Sequence, residues 1–177
     1  YETRHMHSTY YDTFDGQLSR RKWTLRLRDE AGQRVAAFKT ADLSDDAGFC
    51  TRGEGQCLVD NIEDAIPLLI DQGAPRELKN ILKGKPLVET CGAEFDRKAA
   101  CLFLDDGVRV ELAGDLGYLF AGDRKEPICE VEVELLYGDA GSLPPLCNQL
   151  IGEYGLYEEK RSKYQRARAL AEAEETE

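Results

Sequence analysis

The chain of 177 residues is long enough for one domain with a sizeable core, and its formal charge of −11 leaves no basic excess for tracking a nucleic-acid backbone. No apolar run reaches membrane-spanning length and the first residues lack the pattern of a signal peptide, so the expectation is a soluble cytoplasmic protein with no nucleic-acid or membrane partner. An acidic protein can still grip a polyanion where its basic residues are concentrated in one place.

Residues 1–12 alternate weakly and read as a strand running into the turn Thr13-Phe14-Asp15-Gly16. His5 and His7 have strand spacing, but two ligands make no metal site and surface or packing roles suit them better. The cluster Arg20-Arg21-Lys22 leads into a strand over 23–29, where Arg26 and Arg28 share one face and Leu25 and Leu27 the other. A turn at Ala31-Gly32-Gln33 joins it to a strand over 34–40, with Ala37 and Lys39 on one face and Phe38 on the other. Residues 41–49 are polar loop, and 50–58 read as a strand carrying Arg52 and Glu54 together. At Asn61 the period changes: it caps a helix whose stripe is Ile62, Ala65, Ile66, Leu69 and Ile70, ending at Gly73. Pro75 opens a second, shorter helix through Leu82, stopped by Gly84 and Pro86.

Strands resume at 87–91, 94–104, 107–114, 117–121 and 128–137, with Asp105-Asp106-Gly107 as a hairpin signal and with Arg109 and Glu111 on one face. Ser142 caps a helix with Pro144 and Pro145 in its first turn and Leu146, Leu150 and Ile151 inward, finishing at Gly155. A last helix starts near Glu158, and the polar residues from about 170 to 177 form a frayed tail. Residues 1–177 make one domain without internal repeat. Six cysteines, at 50, 57, 91, 101, 129 and 147, contain no Cys-x-x-Cys pair, so no zinc knuckle or dithiol motif is indicated. Reduced, mostly buried thiols fit them, a Cys50–Cys57 disulfide being the weaker alternative.

The segment Cys129-Glu130-Val131-Glu132-Val133-Glu134-Leu135-Leu136 places three glutamates on one strand face. Carboxylates two residues apart lie roughly 6.8 Å from each other and repel by on the order of 2 kcal/mol at an effective dielectric near 20. Two readings fit: a solvated outer face, or a wet cavity in which the carboxylates hold a divalent cation. Several other strands pair an apolar face with one bearing charges of both signs. The second reading therefore extends to an α+β fold, a barrel with a polar, charged interior whose apolar outside is covered by helices.

Tyr10-Tyr11-Asp12-Thr13, Leu25-Arg26-Leu27-Arg28, Phe38-Lys39-Thr40, Glu111-Leu112-Ala113-Gly114-Asp115 with Gly117, Pro127 through Leu135, and Ser162-Lys163 occur in the order found in the CYTH superfamily, the triphosphate tunnel metalloenzymes, which this chain resembles. The resemblance implies an eight-stranded antiparallel tunnel in which basic residues grip a triphosphate and acidic ones hold magnesium or manganese. On matching positions, Arg26, Arg28, Lys39, Arg97 and Lys163 are the phosphate clamp, Glu130, Glu132 and Glu134 the catalytic, metal-binding strand, Arg52 and Glu54 a further charged pair, and Glu111 and Asp115 an acidic pair. Arg109, Lys98 and Arg166 stay open between tunnel and surface, while Tyr10, Tyr11 and Trp23 read as packing residues. The implied activity is metal-dependent hydrolysis of the terminal phosphoanhydride of a triphosphate, inorganic triphosphate first. The alternatives are a noncatalytic polyphosphate- or nucleotide-binding module, a thiamine triphosphatase, or a class IV-type adenylate cyclase. One departure stands out: the Glu-x-Glu-x-Lys signature that precedes the Tyr-Tyr-Asp-Thr motif in the superfamily is absent. A missing first strand is expected, which puts the activity of this chain in question.

Overall fold

The structure, a computed structural model, describes residues 2–40 and 54–172. Seven strands, β1 (Glu2–Thr13), β2 (Thr24–Glu30), β3 (Gln33–Lys39), β4 (Glu54–Leu58), β5 (Leu87–Phe103), β6 (Arg109–Ala121) and β7 (Arg124–Tyr137), form one antiparallel sheet in the order β4-β3-β2-β1-β5-β6-β7. Four α-helices accompany it: α1 (Ile62–Asp71), α2 (Glu77–Leu82), α3 (Leu143–Tyr154) and α4 (Lys163–Glu172). The expected tunnel architecture is present as a sheet that does not close. Among the described residues no eighth strand joins the two edges, β4 and β7.

Two strands are longer than expected. The segments 87–91 and 94–104 are the single strand β5, and 107–114 and 117–121 are the single strand β6. The glycines between them serve close approach, not turning. A Cβ on Gly117 would stand 2.1 Å from the Glu94 carbonyl oxygen and 2.5 Å from Phe95 Cα, and one on Gly92 would stand 2.5 Å from the Ser8 carbonyl oxygen. Neither has a positive φ; the turn proper lies at Ala31 (φ 52°) and Gly32 (φ 79°), the paired left-handed residues of a tight hairpin.

Two apolar clusters lie on opposite faces of the sheet. On the outer face of β2 and β3, Leu25, Ala36 and Phe38 pack under α1 through Ile62, Ala65 and Leu69, with Leu18 and Leu78 beside them. Asn61 starts α1 as expected, its side chain accepting from the Asp64 N–H at 3.0 Å. On the inner face, Met6, Tyr10, Cys91, Ala93, Phe95, Leu119 and Ile128 pack against Ala167 of α4. A helix thus covers part of the face that the alternating pattern marked as charged. The stripe of α3, Leu146, Leu150 and Ile151, is only half-buried, and α4 begins at Lys163, later than expected.

Cysteine burial needs correction. Cys101 and Cys129 are exposed, because Cys101 lies near the end of β5 and Cys129 on an edge strand; Cys91 is buried as expected. Cys57 is a free thiol, and Cys50, with residues 50–53 of the expected strand, lies outside the described residues.

The glycine argument is testable by a pair of substitutions. Gly117→Ala must push backbone against backbone and should cost about 1–3 kcal/mol, lowering the melting temperature by several degrees. Gly114→Ala, where a Cβ meets nothing within 4 Å, should leave the melting temperature nearly unchanged. Equal behaviour of the two variants in thermal denaturation would contradict close approach as the reason for Gly117.

Candidate active site

Residues directly opposite each other on an antiparallel ladder point to the same face. Tyr10 pairs with Arg26 and Cys91, Ser8 with Arg28 and Ala93, and Arg4 with Arg97. Arg97 in turn pairs with Asp115, Asp115 with Glu130, Ala113 with Glu132, and Glu111 with Glu134. Lys39 stands opposite Thr24, two residues from Arg26 on the same face, and opposite Glu54 on its other side. The register therefore puts Arg26, Arg28, Lys39, Arg97, Glu111, Asp115, Glu130, Glu132 and Glu134 on one face, the inner one. Arg52 lies outside the described residues, and for Glu54 only the strand position is described.

At the β5–β7 side this face carries a dense ion network. Arg97 donates to Asp115 through Nε at 2.8 Å and Nη2 at 2.7 Å, and Nη2 also meets Glu132. Lys163 Nζ lies 2.7 Å from Asp115 Oδ2, 2.6 Å from Glu132 Oε1, and in contact with Glu130. Arg166 pairs with Glu130. Arg97 and Glu132 are on strands two apart, a span that side chains bridge on the inside of a curled sheet. Phe95 lies under both cations, its ring centroid 5.6 Å from the Arg97 guanidinium carbon and 4.9 Å from Lys163 Nζ.

Lys163 is held there by the start of α4. Ser162 Oγ accepts from the Gln165 N–H at 3.2 Å, and Gln165 Oε1 accepts from the Ser162 N–H at 2.8 Å, a reciprocal capping box that fixes the first turn. Tyr164 packs at a tilt on Tyr10, ring centroids 4.9 Å apart, and Ala167 is fully buried.

For Arg97, Lys163, Asp115 and Glu132 burial opposes the charge, and the partners outweigh it. Hydrogen bonds from Arg97 and Lys163 hold the Asp115 carboxyl below the ordinary carboxylate range, and Lys163 does the same for Glu132. The carboxylates likewise raise Arg97 and Lys163 above their ordinary values.

The β2–β3 side is different. Arg28 is half-buried and donates from Nε to Ser8 Oγ at 3.0 Å. Burial, then repulsion from Arg26, pushes its pKa down to about 10, and Arg97 adds to the effect. Arg26 Nε is buried without a hydrogen-bond partner among the described residues. Unlike Arg97, neither arginine forms an ion pair with a carboxylate among the described residues, Glu30 acting on Arg28 only as a weaker, more distant charge, and both carry guanidinium forks suited to phosphate oxygens.

Asp115, Glu130 and Glu132 each offer a carboxylate oxygen within 4.8 Å of the others. Three hard oxygen donors at this spacing fit magnesium or manganese. Glu134, though on the same face, is exposed and outside this group. Glu111 is half-buried with its carboxylate 3.5 Å from Arg4, so it too lies apart. Of the residues left open, Arg166 belongs to the network, Arg109 is exposed over the Tyr137 ring, and Lys98 is exposed on the outer face. His5 and His7 also face outward, His5 bonded to Asp96 at 2.9 Å and His7 edge-on to Phe120. Sequence reasoning missed Arg4, which bridges Glu30 at 2.8 Å and Glu111, and Ser8, which orients Arg28. Their one signal was that positions 4, 6, 8 and 10 share a face with Arg26 and Arg28.

The CYTH domain family matches residues 2–167. The chain belongs to the CYTH domain family. Solved structures with its fold include a candidate adenylyl cyclase from Hippeastrum with a dominant triphosphatase activity, 19% identical, covering 96% of this chain and 83% of that one at a TM-score of 0.61. A protein from Pyrococcus horikoshii is 18% identical over 97% of this chain and 85% of its own, at 0.52. A candidate adenylate cyclase from Bacillus halodurans is 15% identical over 93% and 82%, at 0.54. At these identities the CYTH fold is what they share with this chain. No helix among the described residues is long and apolar enough to cross a membrane.

The depressed carboxyl groups of this CYTH domain set a pH dependence. Their contribution to stability is present above the ordinary carboxylate values, near 4, and is lost as pH falls through the lower folded values. The melting temperature should therefore drop below about pH 4.5. Asp115→Asn should lower it at neutral pH by the equivalent of about 3–5 kcal/mol and flatten the acid limb. An acid limb as steep in Asp115→Asn as in the parent would contradict the assignment.

Proposed function

We propose that this protein hydrolyses the terminal phosphoanhydride of a triphosphate, inorganic triphosphate foremost, with magnesium or manganese. The observation that carries the reading is the Arg26–Arg28 pair, which forms no ion pair among the described residues, on the same sheet face as the Asp115–Glu130–Glu132 group. A phosphate chain needs several fixed cations to leave water, and a divalent ion needs carboxylates beside it. Membership in the CYTH family and the triphosphatase activity of the Hippeastrum protein support the same reading.

In this reading Arg26 and Arg28 receive the phosphate oxygens through their guanidinium forks, with Lys39 on the neighbouring strand extending the clamp. Ser8 and the surrounding core hold Arg28 in one orientation, so little side-chain freedom is lost on binding. Arg97 is fixed by Asp115 and contributes charge facing Arg28. Lys163 approaches from α4. Asp115, Glu130 and Glu132 would hold the divalent ion, which supplies charge neutralisation at phosphate oxygens and a more acidic water. Positioning and electrostatics supply most of the catalysis that phosphoryl transfer asks of a protein.

Two substitutions test this. Arg28→Ala should weaken binding of inorganic triphosphate by roughly 10- to 100-fold, and Glu132→Gln should abolish phosphate release in the presence of magnesium or manganese. Tight binding of triphosphate without turnover at any divalent-ion concentration would replace the hydrolase reading with that of a noncatalytic binding module.

A further inference from the structure

An ammonium group has three N–H donors and no acceptor. Around Lys163 Nζ stand three carboxylates: it donates a hydrogen bond to Glu132 Oε1 at 2.6 Å and forms ion pairs with Asp115 Oδ2 at 2.7 Å and with Glu130 Oε1. These are the same three carboxylates whose oxygens lie within 4.8 Å of one another. The Lys163 nitrogen therefore stands where a cation shared by the three would stand. Reaching a phosphate means leaving that position, and the three carboxylates then keep only Arg97 and Arg166 as partners, one positive charge short.

We propose that Lys163 is a resident counter-ion of the acidic group, exchanged for a divalent ion when the site is loaded. The inference rests on reading Asp115, Glu130 and Glu132 as the divalent-ion site. Its geometry needs no movement of the fold. Lys163 is the first residue of α4, whose first turn is locked by the Ser162–Gln165 capping box and whose body is anchored by Tyr164 on Tyr10 and by buried Ala167. The exchange is therefore a swing of one flexible side chain about a fixed backbone. The incoming ion neutralises the carboxylates that Lys163 neutralised before, and the released ammonium becomes available to the phosphate chain. One displacement fills the metal position and completes the clamp. Without phosphate to receive the lysine, the divalent ion competes against a built-in cation.

The test is titration with Mn2+ alone, followed by the loss of the free-ion electron paramagnetic resonance signal, so that turnover plays no part. Lys163→Met and the more polar Lys163→Gln should each bind Mn2+ roughly tenfold or more tightly than the parent protein, and adding Glu132→Gln to either should remove the gain. In the parent protein, saturating Mn2+ should accelerate acetylation of Lys163, read by peptide mapping. Equal Mn2+ affinity in the parent and both lysine variants, with Glu132→Gln still weakening binding, would overturn the exchange while leaving the ion site standing. An unchanged acetylation rate would overturn it too. No Mn2+ binding to any of these proteins would overturn the ion site itself, and the exchange with it.

Discussion

Charge compensation on a single sheet face is the constraint on which this structure depends. The alternation of β-strands sends every second residue inward; on β2 and β7 that residue is repeatedly Arg or Glu, and Arg4, Arg97, Glu111 and Asp115 join from β1, β5 and β6. Ions brought together out of bulk water are tolerable only when paired, because desolvation otherwise exceeds what attraction returns. On the β5–β7 side the chain satisfies this internally, three cations against three carboxylates, with Lys163 and Arg166 delivered from α4. On the β2 side it does not. Arg26 and Arg28 remain a positive pair without an ion-paired carboxylate among the described residues, and burial, then their mutual repulsion, lowers the Arg28 pKa.

That asymmetry gives the face its chemical direction. In the proposed reading, one cation substitutes for another in the ion-paired half, and the half with Arg26 and Arg28 receives an added anion. Glycines at 92 and 117 leave room for the backbone at Ser8 and at Glu94 and Phe95. The helix α4 packs Tyr164 and Ala167 on the inner core and places its first residue in the ion network, so a single element links core packing to that network.

Much of this was legible in the chain, for physical reasons. The two-residue period of Arg26-Leu27-Arg28 and of Glu130 through Glu134 identified the inner face, because strand geometry leaves no other option once the segment is a strand. Asn61 identified the start of α1, because few residues can accept its unsatisfied N–H groups. Gly92 and Gly117 were misleading, since a glycine required for close approach looks the same in sequence as one required for a turn. Alternation also says which face a residue takes but not how deep it lies: Asp115 is fully buried among cations while Glu134, on the same face, is exposed. Arg4 was missed and Arg166 left open for another reason, as their partners are set by strand order and by how α4 crosses the sheet.

The central claim is that Arg26 and Arg28 on one side, and Asp115, Glu130 and Glu132 on the other, serve a common ligand. A crystal structure with manganese and a nonhydrolysable imido analogue of inorganic triphosphate measures this directly. The account predicts phosphate oxygens on both arginines, the ion among the three carboxylates, and Lys163 turned from the carboxylates toward the phosphate. An analogue bound on the outer face of the sheet, with the Lys163 contacts to Asp115 and Glu132 unchanged, would contradict it.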